Sequence, residues 1–313
     1  MLGVYSNKLK YVPLLPHKIM AHKSGYINIL GKPNVGKSTL MNAWVGEKIS
    51  IITSKAQTTR HRILGILNGE DFQLVISDLP GIIQPAYKMQ ESMMDYVYTS
   101  LDDADVFIYM AEAGDKPDTQ PTVYQKIKDL KTPTVLLLNK IDLFQQKEVE
   151  DAIALWQADF PKAVVLPVSA QHKFNIESLM HFVLEHIPES APYFEKDALT
   201  DKPERFFVTE IVREKILLNY KQEIPYSCEV VCTSFKDSDS IIRIHVDIYV
   251  ERDSQKPILI GKNGEMLKRV GTQARKDLEA FFGKQVFLQT FVKVSDDWRN
   301  NDSMLKKFGY KES

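Results

Sequence analysis

Residues 31–38 read Gly31-Lys32-Pro33-Asn34-Val35-Gly36-Lys37-Ser38 and fit the phosphate-binding pattern G-x-x-x-x-G-K-[ST]. The two glycines allow a tight backbone turn in which consecutive N–H groups converge on an anion. Lys37 adds a positive charge for the outer phosphates, and Ser38 offers a hydroxyl group to Mg²⁺. We therefore predict that this loop, together with Thr39 at the start of the next element, binds a nucleoside phosphate.

The segments on either side of the loop support this interpretation. Residues 26–30 predict a strand, and residues 39–45 predict a helix. This order places the phosphates at a helix N-terminus, where N–H groups without intrahelical partners and the helix dipole favour negative charge.

The composition is that of an ordinary globular chain. A length of 313 residues suggests two domains, and 44% hydrophobic with 26% charged residues is typical of a folded protein. The net charge of −1 means that any nucleic-acid binding must come from a local patch. The two cysteines, Cys228 and Cys232, have no histidine at ligand spacing, so we expect free thiols in a reducing compartment.

The first 23 residues differ from the rest of the chain. They contain four lysines, and no acidic residue precedes Glu47. The segment lacks the unbroken apolar core and cleavage site of a secretory signal. We expect residues 1–23 to be a disordered leader, or to reflect a start codon assigned too early, with Met20 as an alternative start.

Residues 24–187 alternate between apolar runs and helical spacing. This alternation predicts an α/β domain with a mostly parallel sheet and helices on both faces. The predicted strands are 26–30, 63–67, 72–77, 106–110, 134–138 and 164–168, and the later predicted helices are 89–101, 120–130, 147–159 and 176–186.

The pattern changes after this domain. Residues 188–203 carry three prolines and no periodicity, so they predict a linker that allows the two domains to move. Residues 204–313 predict an α+β domain with the order α-β-β-α-α-β. Its elements are expected at 204–220, 227–235, 241–251, 257–261, 264–282 and 285–294.

The motif Asp78-Leu79-Pro80-Gly81 follows the predicted strand 72–77. An aspartate at this strand end can hold Mg²⁺ through water, and the Gly81 N–H can contact a γ-phosphate because glycine allows close backbone approach. We predict that residues 78–82, ending at Ile82, line the terminal phosphate.

A base-recognition motif follows the predicted strand 134–138 and reads Asn139-Lys140-Ile141-Asp142. The Asp142 carboxylate can accept hydrogen bonds from N1–H and the 2-amino group of guanine, which adenine does not offer. Ser169-Ala170 closes a further strand and would supply a backbone N–H to guanine O6. The sequence thus predicts GTP and GDP rather than ATP.

Residues 49–62 form a polar stretch at the position of a first switch segment. One threonine there would bind Mg²⁺ only while the γ-phosphate is present. We favour Thr59 over Thr58 and leave the alternative open. The expected metal-binding residues are Ser38, Thr59 and Asp78, and the expected catalytic residues are Lys37, Thr59 and Gly81.

The second domain contains its own glycine-bounded turn, Gly261-Lys262-Asn263-Gly264. A G-x-x-G turn between two helices lets a nucleic-acid backbone approach the helix ends. Between residues 260 and 276 there are five basic residues and one acidic residue. With its element order, the domain resembles a KH domain of the prokaryotic type, which implies binding of single-stranded RNA. The predicted RNA-binding residues are Ile260, Gly261, Lys262, Asn263, Gly264, Lys268 and Arg269.

With these motifs, the chain resembles the Era family of ribosome-assembly GTPases from about residue 24 to the C-terminus. Leu79 stands where the family most often has threonine. The resemblance rests on residues 31–38, 55–62, 78–81, 139–142, 169–170, 197–201 and 286–298.

The resemblance implies a GTP-hydrolysing switch that requires Mg²⁺, binds the 3′ region of 16S rRNA and assists maturation of the 30S subunit. Ile82 occupies the position where other GTPases carry a water-orienting glutamine, which implies slow intrinsic hydrolysis. Asn34 resembles a residue that helps bind K⁺ beside the phosphates, and K⁺ dependence is left open. We also expect a monomeric, cytoplasmic protein, with weak peripheral contact at the inner membrane as an open alternative.

Two other functions compete with this one. The first is a passive RNA-binding scaffold with a structural nucleotide site, although intact Lys37, Ser38 and Asp78 argue against it. The second is a membrane-associated signalling GTPase, although no amphipathic anchor is evident in the sequence.

Overall fold

The structure, a computed structural model, describes residues 22–117 and 121–311. The first domain is built on a six-stranded sheet in the order β2-β3-β1-β4-β5-β6. All neighbouring strands are parallel except β2 and β3. The strands are β1 (Lys23–Gly31), β2 (Ile63–Asn68), β3 (Phe72–Asp78), β4 (Val106–Glu112), β5 (Thr134–Asn139) and β6 (Val164–Pro167).

Helices cover both faces of this sheet, which confirms the predicted fold class. They are α1 (Lys37–Val45), α2 (Lys88–Thr99), α3 (Pro121–Asp129), α4 (Gln146–Asp159) and α5 (Ile176–His186). Successive residues of β1 enter different cores. Ile29 shares a hydrophobic cluster with Leu179 of α5. Leu30 shares another with Val97 of α2 and Trp156 of α4. A strand buried on both faces explains the continuous apolar runs in the sequence.

The parallel strands bring three of the sequence motifs together. Residues 31–38 follow β1, residues 78–82 lie at the end of β3, and residues 139–142 lie at the end of β5. Since parallel strands end at one edge of a sheet, these loops share one rim, where ligands of open α/β sheets bind.

The segment 188–203 packs against the first domain. The Ile66 N–H donates to the Leu199 carbonyl at 2.9 Å, and Gly65 forms a bridge with Thr200. The Gln73 amide donates to the Phe194 carbonyl at 2.9 Å. Because residues 188–203 show no periodicity, the sequence did not indicate these contacts, which cover the outer edge of β2.

The second domain has the predicted α-β-β-α-α-β order and two additional short helices, α7 and α10. Among the described residues, no helix combines the length and the apolarity that crossing a membrane requires. The elements are α6 (Glu204–Asn219), α7 (Ile224–Ser227), β7 (Glu229–Asp237), β8 (Ile241–Val250), α8 (Gln255–Ile260), α9 (Glu265–Phe282), β9 (Gln285–Val294) and α10 (Asp302–Lys307).

The sheet of this domain has the order β7-β8-β9, with β8 antiparallel to β7 and parallel to β9. Ile244 and Val246 of β8 are fully buried in a cluster with Val270 and Leu278 of α9. The alternating pattern of β8 therefore has the predicted cause, because one face of the sheet packs on helices.

Residues 1–21, which make up most of the expected leader, lie outside the described residues.

Candidate functional site

Both glycines of residues 31–38 are needed because other residues closely surround the backbone there. Gly31 has φ of +149°, and a Cβ there would lie 2.2 Å from the Met110 carbonyl oxygen. Gly36 has φ of +109°, and a Cβ there would lie 2.2 Å from the Asn139 amide nitrogen. Neither position accepts a side chain, so the loop keeps its backbone N–H groups accessible at the start of α1.

Lys37 lies inside the loop that contains it. Its ammonium group donates to the carbonyls of Gly31 at 3.2 Å and Lys32 at 2.8 Å. Burial lowers the pKa of Lys37 to about 8, while the nearby Asp78 carboxylate acts in the opposite direction. A buried cation whose partners are neutral carbonyls is well suited to exchange them for phosphate oxygens.

The three predicted metal-binding side chains meet at one carboxylate. Asp78 Oδ2 accepts hydrogen bonds from Ser38 Oγ at 2.6 Å and from Thr59 Oγ1 at 3.2 Å, and the two hydroxyl oxygens are 3.1 Å apart. Asp78 Oδ1 is buried and has no hydrogen-bond partner. Burial raises the pKa of Asp78. A buried, unpaired carboxylate oxygen beside two hydroxyl groups fits Mg²⁺, which prefers oxygen ligands and retained water.

The two candidate threonines point in different directions. Thr58 Oγ1 donates to the Lys55 carbonyl at 2.6 Å and lies 2.7 Å from Thr53 Oγ1, so it supports its own loop. Thr59 contacts Ser38 and Asp78 as described above. The geometry therefore favours Thr59 as the metal ligand.

Residues 79–82 lie against the phosphate-binding loop. A Cβ on Gly81 would lie 2.6 Å from the Pro33 nitrogen, and the Ile82 N–H donates to the Gly31 carbonyl at 3.0 Å. Leu79 is fully buried in a core cluster, and the Ile82 side chain packs against the same cluster. Ile82 therefore brings no polar side chain to the site, and Leu79 does not approach the metal-binding oxygens.

Asn139 joins two loops of the site. Its amide nitrogen donates to the Val35 carbonyl at 2.7 Å, and its amide oxygen accepts from the Ala170 N–H at 2.9 Å. The predicted guanine loops are thus tied to the phosphate-binding loop by one buried side chain.

Asp142 is held by Ser169. Ser169 Oγ donates to Asp142 Oδ1 at 2.6 Å, and this hydrogen bond is the main reason that the pKa of Asp142 is lowered. Lys140 has φ of +61°, and its ammonium group pairs with the Glu112 carboxylate at 2.7 Å. The Ile141 N–H donates to the Val168 carbonyl at 3.4 Å.

From the sequence we expect the switch segments, residues 49–62 and 78–90, to touch the linker or the second domain, but the residues that make this contact are evident only in the structure. The buried Arg60 guanidinium donates to the carbonyls of Cys228 at 2.8 Å and Pro225 at 3.1 Å, and to the Glu229 carboxylate at 3.0 Å. Lys55 donates to two carbonyls at the end of α6, those of Leu217 and Tyr220. The only signal in the sequence was the density of basic residues at 55–62.

Side chains of the second domain also contact the switch segment. Arg213 of α6 donates to the Thr58 carbonyl at 2.5 Å and pairs with Glu210 within the same helix. The His61 ring stacks on the Tyr310 ring with centroids 4.6 Å apart. Residues 55–62 are therefore positioned by both domains, and Thr59 lies in the middle of this segment.

The G-x-x-G turn lies on the surface between α8 and α9. Gly261, Asn263 and Gly264 have φ of +75°, +52° and +77°. A Cβ on Gly261 would lie 2.7 Å from Met266 Cβ, whereas one on Gly264 would meet no atom within 4 Å. The side chains of Lys262, Lys268 and Arg269 are exposed, and Ile260 is half-buried at the end of α8.

A groove of about 390 Å³ begins at this turn and runs between α9 and β9. Its mixture of small, apolar and basic side chains suits an unpaired nucleic-acid strand. The groove is lined by Gly264, Leu267, Lys268, Gly271, Thr272, Arg275, Leu288 and Thr290.

Comparisons with known proteins agree with this arrangement. The family described as 50S ribosome-binding GTPase matches residues 26–140, and the KH domain family matches residues 223–299. GTPase Era of Geotalea uraniireducens is 44% identical over 290 residues, which cover 92% of this chain and 98% of that protein. GTPase Era of Ruminiclostridium cellulolyticum is 40% identical over 294 residues, which cover 93% and 99%.

A solved structure of Era in complex with MgGDPNP and nucleotides 1506–1542 of 16S ribosomal RNA is also similar. The TM-score is 0.89 and the sequence identity is 38%, with 92% of this chain and 99% of that chain covered. The similarity therefore extends over both domains.

Proposed function

Because the chain belongs to the Era family of GTPases and is a GTP-hydrolysing enzyme that uses Mg²⁺, we propose that it couples GTP hydrolysis to binding of the 3′ region of 16S rRNA during 30S subunit assembly. The observation that carries the proposal is the convergence of Ser38 and Asp78 with Thr59, which lies in a switch segment that the KH domain holds. The membership also disfavours a passive scaffold.

The nucleotide-binding role of individual residues is part of the proposal. Lys37 would exchange its two carbonyl partners for phosphate oxygens, and the N–H groups of residues 31–39 would surround the same phosphates. Ser38 and Thr59 would bind Mg²⁺ directly, with Asp78 holding its water shell. When bound there, Mg²⁺ neutralises charge on the phosphates.

Hydrolysis is expected to be slow without a further factor. Ile82 offers no group that could orient the attacking water, because its side chain packs on the core. The Gly81 N–H remains the nearest group of this loop for sensing the γ-phosphate. The guanine base would be recognised by Asp142, held by Ser169, with Asn139 connecting the base and phosphate loops.

The switch follows from the position of Thr59. Release of the γ-phosphate would weaken the interaction of Thr59 with the metal. The same segment, residues 55–62, contains Lys55 and Arg60, which contact the KH domain. Hydrolysis would therefore change how the two domains are joined, and with it the access of RNA to the groove.

RNA binding is inferred from the KH fold and from the bound rRNA of the solved relative. The groove and the exposed cations at residues 262, 268 and 269 would hold about four unpaired nucleotides. A cytoplasmic location belongs to the same proposal. A peripheral contact at the inner membrane is testable by flotation with anionic vesicles.

Potassium dependence is a separate prediction. Asn34 has φ of +65° and donates to the Ser54 carbonyl at 2.9 Å, so it links the phosphate-binding loop to the switch segment. If K⁺ binds beside the phosphates, hydrolysis should be faster in KCl than in NaCl. Equal rates in the two salts would contradict this prediction.

The proposal is tested by measuring GTP turnover with and without a 16S rRNA fragment that contains nucleotides 1506–1542. We expect turnover in both conditions and a higher rate with RNA. Absence of turnover in both would refute it.

RNA binding is tested with Gly261→Asp and Gly264→Asp, which we expect to abolish binding of the same fragment while sparing GTP turnover without RNA. Gly264→Asp is the cleaner variant, because a side chain at Gly261 would press on Met266. Gly283→Asp is the matched control, since Gly283 has φ of +64°, equally open surroundings and a position at the far end of α9. Equal RNA affinity of Gly264→Asp and Gly283→Asp would remove the G-x-x-G turn from the RNA site.

A further inference from the structure

We propose that the outer face of the KH sheet is a second contact for single-stranded RNA, where bases stack on Phe287 and Phe291. The proposal rests on RNA binding by the KH domain. It adds a site outside the groove beside the G-x-x-G turn, for nucleotides that continue past that groove.

The two phenylalanines lie on the face of β9 that turns away from α8 and α9. The far end of this face, at Tyr249, is covered by Leu305 and Phe308. Val286 and Leu288 of β9 pack into the domain core. Because side chains alternate along a strand, Phe287 and Phe291 share the opposite face. Their residues are 44% and 45% exposed, which is unusual for a pair of aromatic side chains on one strand.

Neighbouring strands complete this face with polar and basic groups. Arg243 is the register partner of Phe287, and its guanidinium lies 5.7 Å from the ring centroid. His245 is the partner of Gln289. An arginine beside an exposed ring is a combination that stacks on bases and also reaches phosphates.

The charge of the face suits a polyanion. Lys236, Arg243 and Lys293 contribute three positive charges. Two carboxylates lie in the same rows, and both already have cationic partners. Asp247 accepts from Lys293 at 2.6 Å, and the buried Glu229 accepts from Arg60 at 3.0 Å. A protein-binding surface of this size would more often have a charge-depleted centre, so the observations favour RNA.

The face is also continuous with the groove. Leu288 and Thr290 line the groove, and they alternate along β9 with Phe287, Gln289 and Phe291. β9 is the outermost strand of the sheet, and no strand of the described residues pairs with its other edge. A strand of RNA leaving the groove therefore needs to cross only this edge. The two rings are four residues apart, or about 13 Å, which leaves room for more than one base.

The test compares two single-stranded RNAs taken from nucleotides 1506–1542, one of about four nucleotides to fill the groove and one of about ten nucleotides to reach the sheet. Affinity is measured by fluorescence anisotropy with the full chain. The variant F287L/F291L keeps apolar bulk and removes both aromatic faces. We expect it to lose at least about tenfold in affinity for the longer RNA and to bind the shorter RNA as the unchanged chain does.

Two variants control for indirect effects. F287W/F291W keeps two aromatic faces and should bind the longer RNA at least as well as the unchanged chain. Phe281→Leu alters a phenylalanine of the same domain that is 46% exposed on α9 and stacks on Phe207 instead. It should leave both affinities unchanged.

Each other outcome overturns the proposal. Unchanged binding of both RNAs by F287L/F291L would show that the sheet face does not contact RNA. If that variant then sedimented less with 30S subunits, the face would be a protein contact. Equal losses of affinity for both RNAs would show that the phenylalanines stabilise the groove and do not contact RNA themselves. Failure of the unchanged chain to bind either RNA would instead refute RNA binding in the proposed function.

Discussion

Two glycine-bounded loops at the start of helices, residues 31–38 and residues 261–264, differ in how closely the protein surrounds them. A Cβ on Gly36 would lie 2.2 Å from Asn139, whereas one on Gly264 would meet nothing within 4 Å. Lys37 is buried in the first loop, whereas Lys262 is exposed in the second.

The two loops have similar backbone conformations but are suited to different ligands. Both loops use positive φ angles that glycine accepts readily. The enclosed loop offers buried charge and fixed hydrogen bonds, which act strongly because solvent does not screen them. The open turn offers surface charge, which is screened by salt and adapts to a polymer that passes over it.

The largest expected effect comes from removing the buried charge of the enclosed loop. Lys37→Ala should lower the single-turnover rate of GTP hydrolysis by at least about a hundredfold, because a preorganised donor to the phosphates is lost. Lys147→Ala removes an exposed lysine of α4 and serves as the control. If the two variants hydrolyse GTP equally fast, enclosure of Lys37 has no catalytic consequence.

The next effect concerns base recognition at the same rim of the sheet. Asp142→Asn should weaken GTP binding by about fiftyfold and favour xanthosine nucleotides, because the amide presents a donor where guanine requires an acceptor. Calorimetry with GDP and xanthosine diphosphate measures the change. The exposed Asp151→Asn variant should keep the original preference, and an unchanged preference in Asp142→Asn would remove Asp142 from the base site.

Salt should weaken RNA binding at the open turn more than nucleotide binding at the enclosed loop. If Lys262, Lys268 and Arg269 each contact one phosphate, RNA affinity should fall about twentyfold between about 50 and 200 mM NaCl. GDP affinity should change by less than about threefold, because Lys37 is buried. Titrations of RNA and GDP at the same two salt concentrations test this prediction. An equal fall in both affinities would contradict it.

The smallest effect is expected from adding a methyl group to the open turn. Gly264→Ala should cost about 1 kcal/mol of unfolding free energy, because only the positive φ is disfavoured. Gly36→Ala adds a steric clash with Asn139, so it should cost more unfolding free energy and also weaken GDP binding. Thermal unfolding and GDP titration of both variants measure the difference. A large loss of stability in Gly264→Ala would show that the turn is less open than its surroundings indicate.

The sequence predicted the elements of both domains closely because their periodicities are strong. β8 and the buried strand β5 have unambiguous patterns, and the loop after β5 contains the expected motif at residues 139–142. It did not predict α10, which has six residues and is too short to show a helical period. Leu305 of that helix is buried in a cluster that joins Trp298 and Phe308 of its own domain with Met89 and Met93 of the first domain.

The sequence alone predicted which residues bind phosphate, metal and guanine, since these requirements are local and fall on short consecutive motifs. The packing of the chain in three dimensions places Thr59 rather than Thr58 against Asp78. It also brings Arg60 and Lys55 to carbonyls of the second domain. The contacts of Lys55 and Arg60 join residues 162 and 168 positions apart, and their energy depends on burial that exists only after the two domains have packed together.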